Sequence, residues 1–248
     1  MAKYTLEVCA GDIESAMAAR NGGAQRIELC SALSEGGITP SAGLAAEAAE
    51  LGMTVHALIR PRGGDFLYTP AEVRTMATDI KMLKQLGIDG VVIGCLTKDG
   101  DIDVEACQQL VDAAQGMSIT FHRAFDRCRQ PLKALEQIIA LGCHRLLTSG
   151  QAATALEGKE MIKQLVNQAN DRIIIMPGCG VNADNAAEIL TYTGAKEIHA
   201  SASTDIASLM QFTRNDVYMG AKDADENTRR GTSAKKVSAI LNAINHIA

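Results

Sequence analysis

The chain has 248 residues and a formal net charge of −5 at pH 7, with 24 lysines and arginines against 29 aspartates and glutamates. This acidic balance, an aromatic content of 3% and the absence of tryptophan argue against a surface for nucleic acid or for an acidic membrane. A hydrophobic fraction of 47% with 21% charged residues is typical of a folded globular protein. We therefore expect a small polar ligand.

The sequence carries no pattern typical of export or membrane insertion. Its first residues run directly into a strand-like segment, and no apolar stretch of about 18 residues follows. The seven cysteines are an odd number without CxxC spacing, which favours reduced thiols over a disulfide framework. These features predict a cytoplasmic protein.

Short apolar segments of strand character alternate with longer amphipathic segments along the chain. The predicted strands span residues 5–10, 26–30, 54–61, 90–96, 118–124, 145–150, 173–180 and 197–203. The predicted helices span residues 12–21, 41–51, 69–86, 103–115, 131–141, 157–169, 184–192 and 233–247. This pattern predicts an α/β fold, a single (β/α)8 TIM barrel that forms one domain over residues 1–248. The alternative, an open doubly wound sheet, usually has a GxGxxG motif after its first strand, and the sequence lacks one there.

One long segment, residues 213–233, is polar, charged and irregular in sequence. It lies between the last predicted strand and the last predicted helix. Two interpretations stay open at this point: a lid over the strand ends or an exposed surface loop.

Polar and ionisable side chains gather at the predicted carboxyl ends of the strands, where TIM barrels place their functional residues. The candidate catalytic residues are Glu7, Glu28, His122 and Asp126. The candidate substrate-binding or anion-binding residues are Arg60, Arg62, Arg123, Ser149, Gly178, Gly180 and Ser201. Together they are typical of a site for an anionic ligand with a general base available.

The two glutamates in this set need partners, because a charged group within a strand is costly to bury alone. Glu7 and Glu28 stand at the same phase of adjacent predicted strands, and we expect Arg60 and Arg123 to pair with them. The alternative is an ion-pair network with a structural role only. The glycines of the loop 178–180 could offer backbone amides to a phosphate.

Two classes of TIM-barrel enzyme are disfavoured by residues that the sequence lacks. An aldolase that forms a Schiff base needs a lysine within a barrel strand, and the lysines fall in predicted loops and helices or, for Lys196, just before the last strand. Zinc hydrolases of this fold bring a His-x-His pair from the first strand, where this chain has Glu7, Val8 and Cys9.

A pair of cysteines closes two similar segments, LEVC at 6–9 and IELC at 27–30. Adjacent strands lie about 4.8 Å apart, so the sulfurs of Cys9 and Cys30 could meet. Two thiolates suit Cu(I), which accepts low coordination numbers. The alternative is that both are small buried hydrophobic side chains, the usual role of a free cysteine.

Several segments resemble the CutC copper homeostasis family: LEVC at 6–9, RIELC at 26–30, GGITPS at 36–41, IRPRGGDF at 59–66, TFHRAFD at 120–126, LTSG at 147–150 and IHAS at 198–201. The resemblance implies a TIM barrel, a cytoplasmic location, homo-oligomers (dimers or tetramers) and an association with copper. Carried onto this chain, the implied Cu(I) ligands are Cys9 and Cys30. The chain departs from some members at Ala10, where they have a second consecutive cysteine.

Two functional hypotheses follow. The first is a cytoplasmic copper homeostasis protein that binds Cu(I) through Cys9 and Cys30. The second is an enzyme that acts by acid–base chemistry on a small phosphorylated or carboxylated metabolite. In the second, Glu7 or Glu28 is the base, His122 is the acid, and Arg60 with Arg123 holds the anion. Neither hypothesis involves nucleic acid or a membrane.

Overall fold

The structure is a computed structural model that describes residues 4–214, 216–217 and 225–247. The barrel strands are β1 (Thr5–Ala10), β2 (Arg26–Leu29), β3 (Thr54–Leu58), β4 (Gly90–Ile93), β5 (Ser118–Phe121), β6 (Arg145–Thr148), β7 (Ile174–Pro177) and β8 (Glu197–Ala200). The helices are α1 (Ile13–Asn21), α2 (Ala42–Ala49), α3 (Pro70–Gln85), α4 (Val104–Ala113), α5 (Pro131–Ala140), α6 (Lys159–Ala169), α7 (Ala186–Thr193) and α8 (Ala234–Asn245). Strands and helices alternate as predicted, and the (β/α)8 architecture is confirmed.

All the barrel strands run parallel in one sheet, in the order β7-β6-β5-β4-β3-β2-β1-β8. The first strand is central to closure because it pairs with both β2 and β8. The two end strands also come together, since a Cβ added to Gly178, just after β7, would lie 3.2 Å from the Cβ of His199 in β8. The sheet is therefore a nearly closed barrel.

The register of β1 brings ionisable side chains together inside the barrel. Glu7 lies opposite Arg26 of β2 and His199 of β8, and Cys9 lies opposite Glu28. Aligned residues of parallel strands share a face of the sheet. These side chains therefore occupy the interior of the barrel, and all five residues are buried.

The helices form for local reasons that α3 illustrates. The Thr69 hydroxyl accepts a hydrogen bond from the Glu72 amide at 3.2 Å, and the Glu72 carboxylate accepts one from the Thr69 amide at 2.7 Å. This capping box satisfies two backbone donors at the start of the helix. The helix then buries one apolar face, formed by Val73, Met76, Ile80 and Leu83. In the described part of the chain, no helix is long and apolar enough to cross a membrane.

Several strands end earlier than the sequence predicts, and the difference matters for the site. The third strand ends at Leu58, not at residue 61, and the fifth ends at Phe121, not at residue 124. The His122 amide makes a last bond to the Ile93 carbonyl, after which the chain turns into a 3-10 helix, Arg123–Arg127. Residues predicted to end the strands, Arg60 among them, thus lie in the loops that surround the barrel mouth.

The segment 213–233 is more regular in its last part than the sequence indicates. Its last part forms a strand, β10 (Thr228–Thr232), which pairs antiparallel with β9 (Ser203–Ala207) directly after the barrel. Arg229 of this hairpin bonds to Asp12 at 2.8 Å and to Glu14, at the start of α1. The pattern was hard to recognise because β10, with the sequence TRRGT, has no large apolar residue. Residues 215 and 218–224 lie outside the described residues.

Candidate functional site

An open cavity of about 390 Å³ lies at the carboxyl ends of the barrel strands. Its walls come from the ends of β1, β2, β3, β5, β6 and β8 and from the loops that follow them. The ionisable or sulfur-bearing residues that line it are Cys9, Glu28, Cys30, Glu35, Arg60, His122, Arg123, Asp126, Arg127 and His199. This position is where TIM-barrel enzymes bind their substrates.

A buried network of charges lies below the cavity, inside the barrel. Arg26 forms ion pairs with Glu7 and with Glu197, and Arg145 bonds to Glu197 at 2.7 Å. Burial alone would raise the pKa of the Glu7 carboxyl, but Arg26 and the hydrogen bond from His199 hold it well below its ordinary value. Glu7 is therefore ionised and has no exposed surface.

The predicted partners of the two glutamates are wrong. Glu7 pairs with Arg26 and His199. Glu28 forms an ion pair with His199, with 3.8 Å between His199 Nε2 and Glu28 Oε2. Arg60 and Arg123 make other contacts. The cause is register: residues in adjacent strands pair at the same height, whereas the two arginines lie beyond the ends of β3 and β5.

His199 links the buried network to the cavity. Its Nδ1 lies 2.8 Å from Glu7 Oε1, and its Nε2 lies 3.8 Å from Glu28 Oε2. Burial would lower the pKa of His199, but hydrogen bonds with Cys9 and Glu7 raise it well above its ordinary value. Burial, and then the nearby charge of Glu7, raises the pKa of Glu28 to about 7. Glu28 can thus gain or lose a proton near neutral pH, as a general acid or base requires.

His122 is a neutral hydrogen-bond donor in the cavity wall. Burial, and then the positive charge of Arg60, lowers its pKa to about 3. Its Nδ1 accepts a hydrogen bond from the Ala124 amide at 3.2 Å, so Nε2 carries the hydrogen. In the described chain Nε2 has no hydrogen-bond partner. Gly94 makes room for the ring, because a Cβ there would lie 2.5 Å from Nδ1.

Arg60 is a buried cation whose guanidinium donates, within the described chain, to backbone carbonyls. Its guanidinium donates to Glu35 O at 2.7 Å, Gly37 O at 2.9 Å and Gly64 O at 2.8 Å. Among the described residues no carboxylate lies within 4.0 Å of it, and its Nε has no partner. Its guanidinium carbon lies 5.2 Å from the centroid of the Phe66 ring, which also packs against His122. An unneutralised buried cation of this kind favours an anionic ligand.

Asp126 lines the cavity, yet its carboxylate mainly organises the loops after β5 and β6. It accepts hydrogen bonds from the amide and hydroxyl of Ser149, from Thr148 Oγ1 and from the Gln151 amide. Arg123 Nε also donates to it at 2.8 Å, and Arg123 Nη2 donates to Ser149 Oγ at 3.0 Å. Ser149 is fully buried and lies outside the cavity wall. The arrangement gives these residues a structural role that type and position alone did not reveal.

Four other candidates lie away from the cavity. Arg62 is half-buried and bonds to Glu72 at 2.6 Å. Gly178 is tightly packed, since a Cβ there would lie 2.6 Å from Leu147 Cδ1, and the carbonyl of Gly180 accepts from the Asn185 side chain at 2.9 Å. Ser201 lines two neighbouring cavities. Only some of the candidate site residues predicted from the sequence therefore line the central cavity.

Glu35 and Arg127 are ionisable cavity residues that the sequence interpretation did not single out. Arg127 is exposed at the cavity mouth, at the end of the 3-10 helix that follows His122. The signal was present in the segment RAFDR at 123–127, where a second arginine follows four residues after the first. Without knowledge of the helical turn, nothing indicated that Arg127 faces the same cavity.

The two cysteines of the thiol pair, Cys9 and Cys30, both line the cavity and are both buried. The Cys30 thiol donates to Ala10 O at 3.6 Å, and burial raises its pKa strongly. Two sulfurs match the preference of Cu(I), but the loss of a proton from Cys30 is opposed by its surroundings. Across the described residues, no group of three or more histidines, cysteines or carboxylates is arranged to hold a metal ion.

A barrel with its open cavity at the carboxyl ends of the strands defines a protein of the TIM-barrel class. Thiamine phosphate pyrophosphorylase from Pyrococcus furiosus is similar to it in fold, with a TM-score of 0.60 and 16% identity over 99% of this chain and 97% of that chain. At such identity the similarity concerns the fold alone.

The family follows from closer relatives. A sequence profile of the CutC family matches residues 4–204, and the chain belongs to this family. It is 53% identical to a CutC family protein of Bacteroides thetaiotaomicron, over 98% of this chain and 99% of that protein. It is 51% identical to one of Chromobacterium violaceum, over 96% of this chain and 97% of that protein. The solved structure of CutC from Streptococcus agalactiae, which carries the name copper homeostasis protein, has a TM-score of 0.77 and 39% identity, over 80% of this chain and 98% of that chain.

Proposed function

We propose that this CutC protein is an enzyme that moves a proton on a small carboxylated or phosphorylated metabolite bound in the central cavity. One observation carries the proposal. A single cavity holds a cation and a hydrogen-bond donor that lack partners, together with a carboxyl group that can titrate near neutral pH. Arg60 and His122 have N–H groups without partners among the described residues. Glu28 lines the same cavity as these two residues. Buried polar groups without partners are rare and are stabilised when a ligand supplies an acceptor.

The proposed roles follow from charge and protonation. Glu28, with a pKa of about 7, accepts or returns the proton. Arg60 neutralises the anionic group of the substrate, and the neutral His122 donates from Nε2 to a substrate oxygen on which charge develops. His199, fixed by Glu7, keeps positive charge beside Glu28 when that carboxyl is ionised. Arg127 supplies a further exposed charge at the mouth.

Four further features belong to the same proposal. The chain is taken to form one domain over its full length, to work in the cytoplasm and to assemble as a homo-oligomer, a dimer or a tetramer. The family resemblance supports the location and the assembly, and the absence of a dividing linker in the sequence supports the single domain. The ligand is taken to be a small anion, with no nucleic acid or membrane partner.

We expect small anions to raise the melting temperature of the protein, because a ligand that binds only the native state stabilises it. The panel is malonate, succinate, glycolate, inorganic phosphate and glycerol 3-phosphate, tested by thermal shift at pH 7. In Arg60→Gln the affinity for the best anion should fall by more than about tenfold, the size expected when a hydrogen bond to a charged group is lost. Arg172→Gln, which removes an exposed charge far from the cavity, is the matched control and should bind as wild type.

The anion-binding proposal fails if no member of the panel raises the melting temperature at millimolar concentration. It also fails if Arg60→Gln and Arg172→Gln bind the best anion equally well. Arg127→Gln provides a graded check, since the loss of an exposed charge should weaken binding less than the loss of Arg60.

A second candidate function is Cu(I) binding by Cys9 and Cys30. It is supported by the position of both thiols on one cavity and by the name of the Streptococcus agalactiae relative. Copper would then be cargo held by the two sulfurs, and the Cys30 thiol would have to lose its proton.

Titration of the reduced protein with Cu(I) against a competing chelator should give one ion per chain. The double variant Cys9→Ser with Cys30→Ser should abolish this binding. Cys107→Ser, which removes a buried thiol outside the cavity, is the control. Equal binding by the double variant and wild type would eliminate these ligands.

A further inference from the structure

We infer that the ligand of the central cavity carries two anionic groups, one bound deep in the cavity by Arg60 and one bound at its mouth by Arg127. This inference rests on the proposed function and deepens it, because it names the class of anion that the cavity takes. Both arginines line the same cavity, but Arg60 is 6% exposed whereas Arg127 is an exposed residue. The two charges therefore lie at different depths, and a ligand that neutralises both needs an anionic group at each end.

Arg127 is the arginine at the mouth whose charge the protein leaves unpaired. Among the described residues, no carboxylate oxygen lies within 4.0 Å of its guanidinium nitrogens. Arg123, which begins the same 3-10 helix, differs in this respect. Its Nε donates to Asp126 at 2.8 Å, and its Nη2 donates to Ser149 Oγ at 3.0 Å. Because Asp126 already neutralises Arg123, an anion at the mouth gains more from a contact with Arg127.

Glu35 is the other carboxylate at the mouth that could compete for Arg127, since it lines the same cavity. Its Oε2 would lie 2.7 Å from a Cβ added to Gly63, so the carboxylate lies against the loop that follows β3. In the described part of the chain, no ion pair within 4.0 Å joins Glu35 to Arg127. Glu35 therefore leaves the Arg127 guanidinium available to an anion from outside the protein.

Apolar side chains in the cavity wall suit the carbon skeleton of such a ligand. Leu58, Phe66 and Leu147 line the cavity, whose volume of about 390 Å³ is near the lower end of the range for small-molecule sites. The Phe66 ring centroid lies 5.2 Å from the guanidinium carbon of Arg60 and 5.0 Å from the His122 ring centroid, so these two donors flank one ring. The ligand class that fits is a short diacid, with a carboxylate or a phosphate at each end of a chain of a few carbons.

The test compares each diacid with its half-amide, which has nearly the same shape and one negative charge fewer. The pairs are malonate with malonamate, succinate with succinamate and glutarate with glutaramate, measured with the full-length protein by isothermal titration at pH 7 and low ionic strength. The wild-type protein should bind the best diacid at least about threefold more tightly than its half-amide, the effect expected of an exposed charge pair. In Arg127→Gln this preference should disappear, because the diacid loses its second contact while the half-amide keeps Arg60.

Two further variants identify Arg127 as the cause of the preference. Arg129→Gln removes a charge just after the 3-10 helix, from a side chain that pairs with Asp101 outside the cavity, and it should keep the wild-type preference. Arg127→Lys keeps the charge and should retain most of the preference. Because the Arg127 side chain is exposed and unpaired in the described chain, its replacement should leave the melting temperature unchanged.

The inference is overturned if the wild-type protein binds the diacids no more tightly than their half-amides. It is also overturned if Arg127→Gln keeps the wild-type preference. In both cases the half-amides still bind through Arg60, so the proposed function survives the result. If none of these ligands binds to the wild-type protein, the proposed function fails and the inference fails with it.

Discussion

Replacement of Arg26 by methionine should lower the free energy of unfolding by about 3–5 kcal/mol, the usual cost of removing one partner from a buried ion pair. Arg26 is 5% exposed and is paired with both Glu7 and Glu197. Methionine keeps much of the side-chain length but leaves Glu7 with His199 as its nearest charged partner. Urea denaturation at pH 7, followed by circular dichroism, measures the change.

Arg172→Met is the control for that experiment. Arg172 bonds to Glu136 through two nitrogens, with both side chains close to half exposed, so its loss should leave stability almost unchanged. If the free energy of unfolding falls by the same amount in both variants, the buried charge network does not stabilise the barrel more than an exposed ion pair does. A smaller loss for Arg26→Met than for Arg172→Met would contradict the account outright.

Asp126→Ala should cost about 2–4 kcal/mol of stability, since its buried carboxylate accepts several hydrogen bonds whose donors would lose their acceptor. These donors belong to Thr148, Ser149, Gln151 and Arg123, so the loops after β5 and β6 should loosen together. Hydrogen exchange of the amides of Ser149 and Gln151, with the melting temperature, measures the effect.

The comparison for Asp126 is Asp65→Ala. Asp65 also accepts from an arginine and a backbone amide, but its side chain is 67% exposed, so the change should have little effect on stability. A purely catalytic Asp126 would behave differently: its alanine variant would keep the wild-type melting temperature. That outcome would restore the role first assigned to Asp126 from sequence.

The sequence was sufficient to predict the barrel because each βα unit has a local sequence pattern that can be recognised. Apolar strand segments, helix caps such as Thr69 and the alternation of the two element types depend on neighbouring residues only. The same local patterns placed Glu28, His122 and Arg60 near the carboxyl ends of their strands, and these three do line one cavity.

The partners of the charged residues could not be predicted, because they depend on the register between strands. Arg26 begins β2 and was passed over, yet parallel pairing sets it beside Glu7 on β1. Glu197, at the start of β8, completes the network through Arg145 across the barrel interior. No local pattern reports such contacts, which join residues 19, 52 and 171 positions apart.

Loop geometry was the second limit. The glycines at 178 and 180 looked suited to a phosphate, but Gly178 is required by the close packing of Leu147 and His199. Asp126 looked catalytic because it follows the carboxyl end of the fifth predicted strand. The five donor groups around its carboxylate become evident only once the turn after β5 is known.

The proton balance of anion binding tests the central claim most directly, because it joins Arg60 and Glu28 in one measurement. Isothermal titration of the best anion of the panel, at pH 7.5 in buffers of different ionisation enthalpy, gives the number of protons taken up. Glu28 has a pKa of about 7 and is largely ionised at this pH, and an anion placed beside it raises that pKa further. The account predicts uptake of a substantial fraction of a proton per anion in the wild-type protein and almost none in Glu28→Gln. Binding without proton uptake, or with equal uptake in Glu28→Gln, would contradict it.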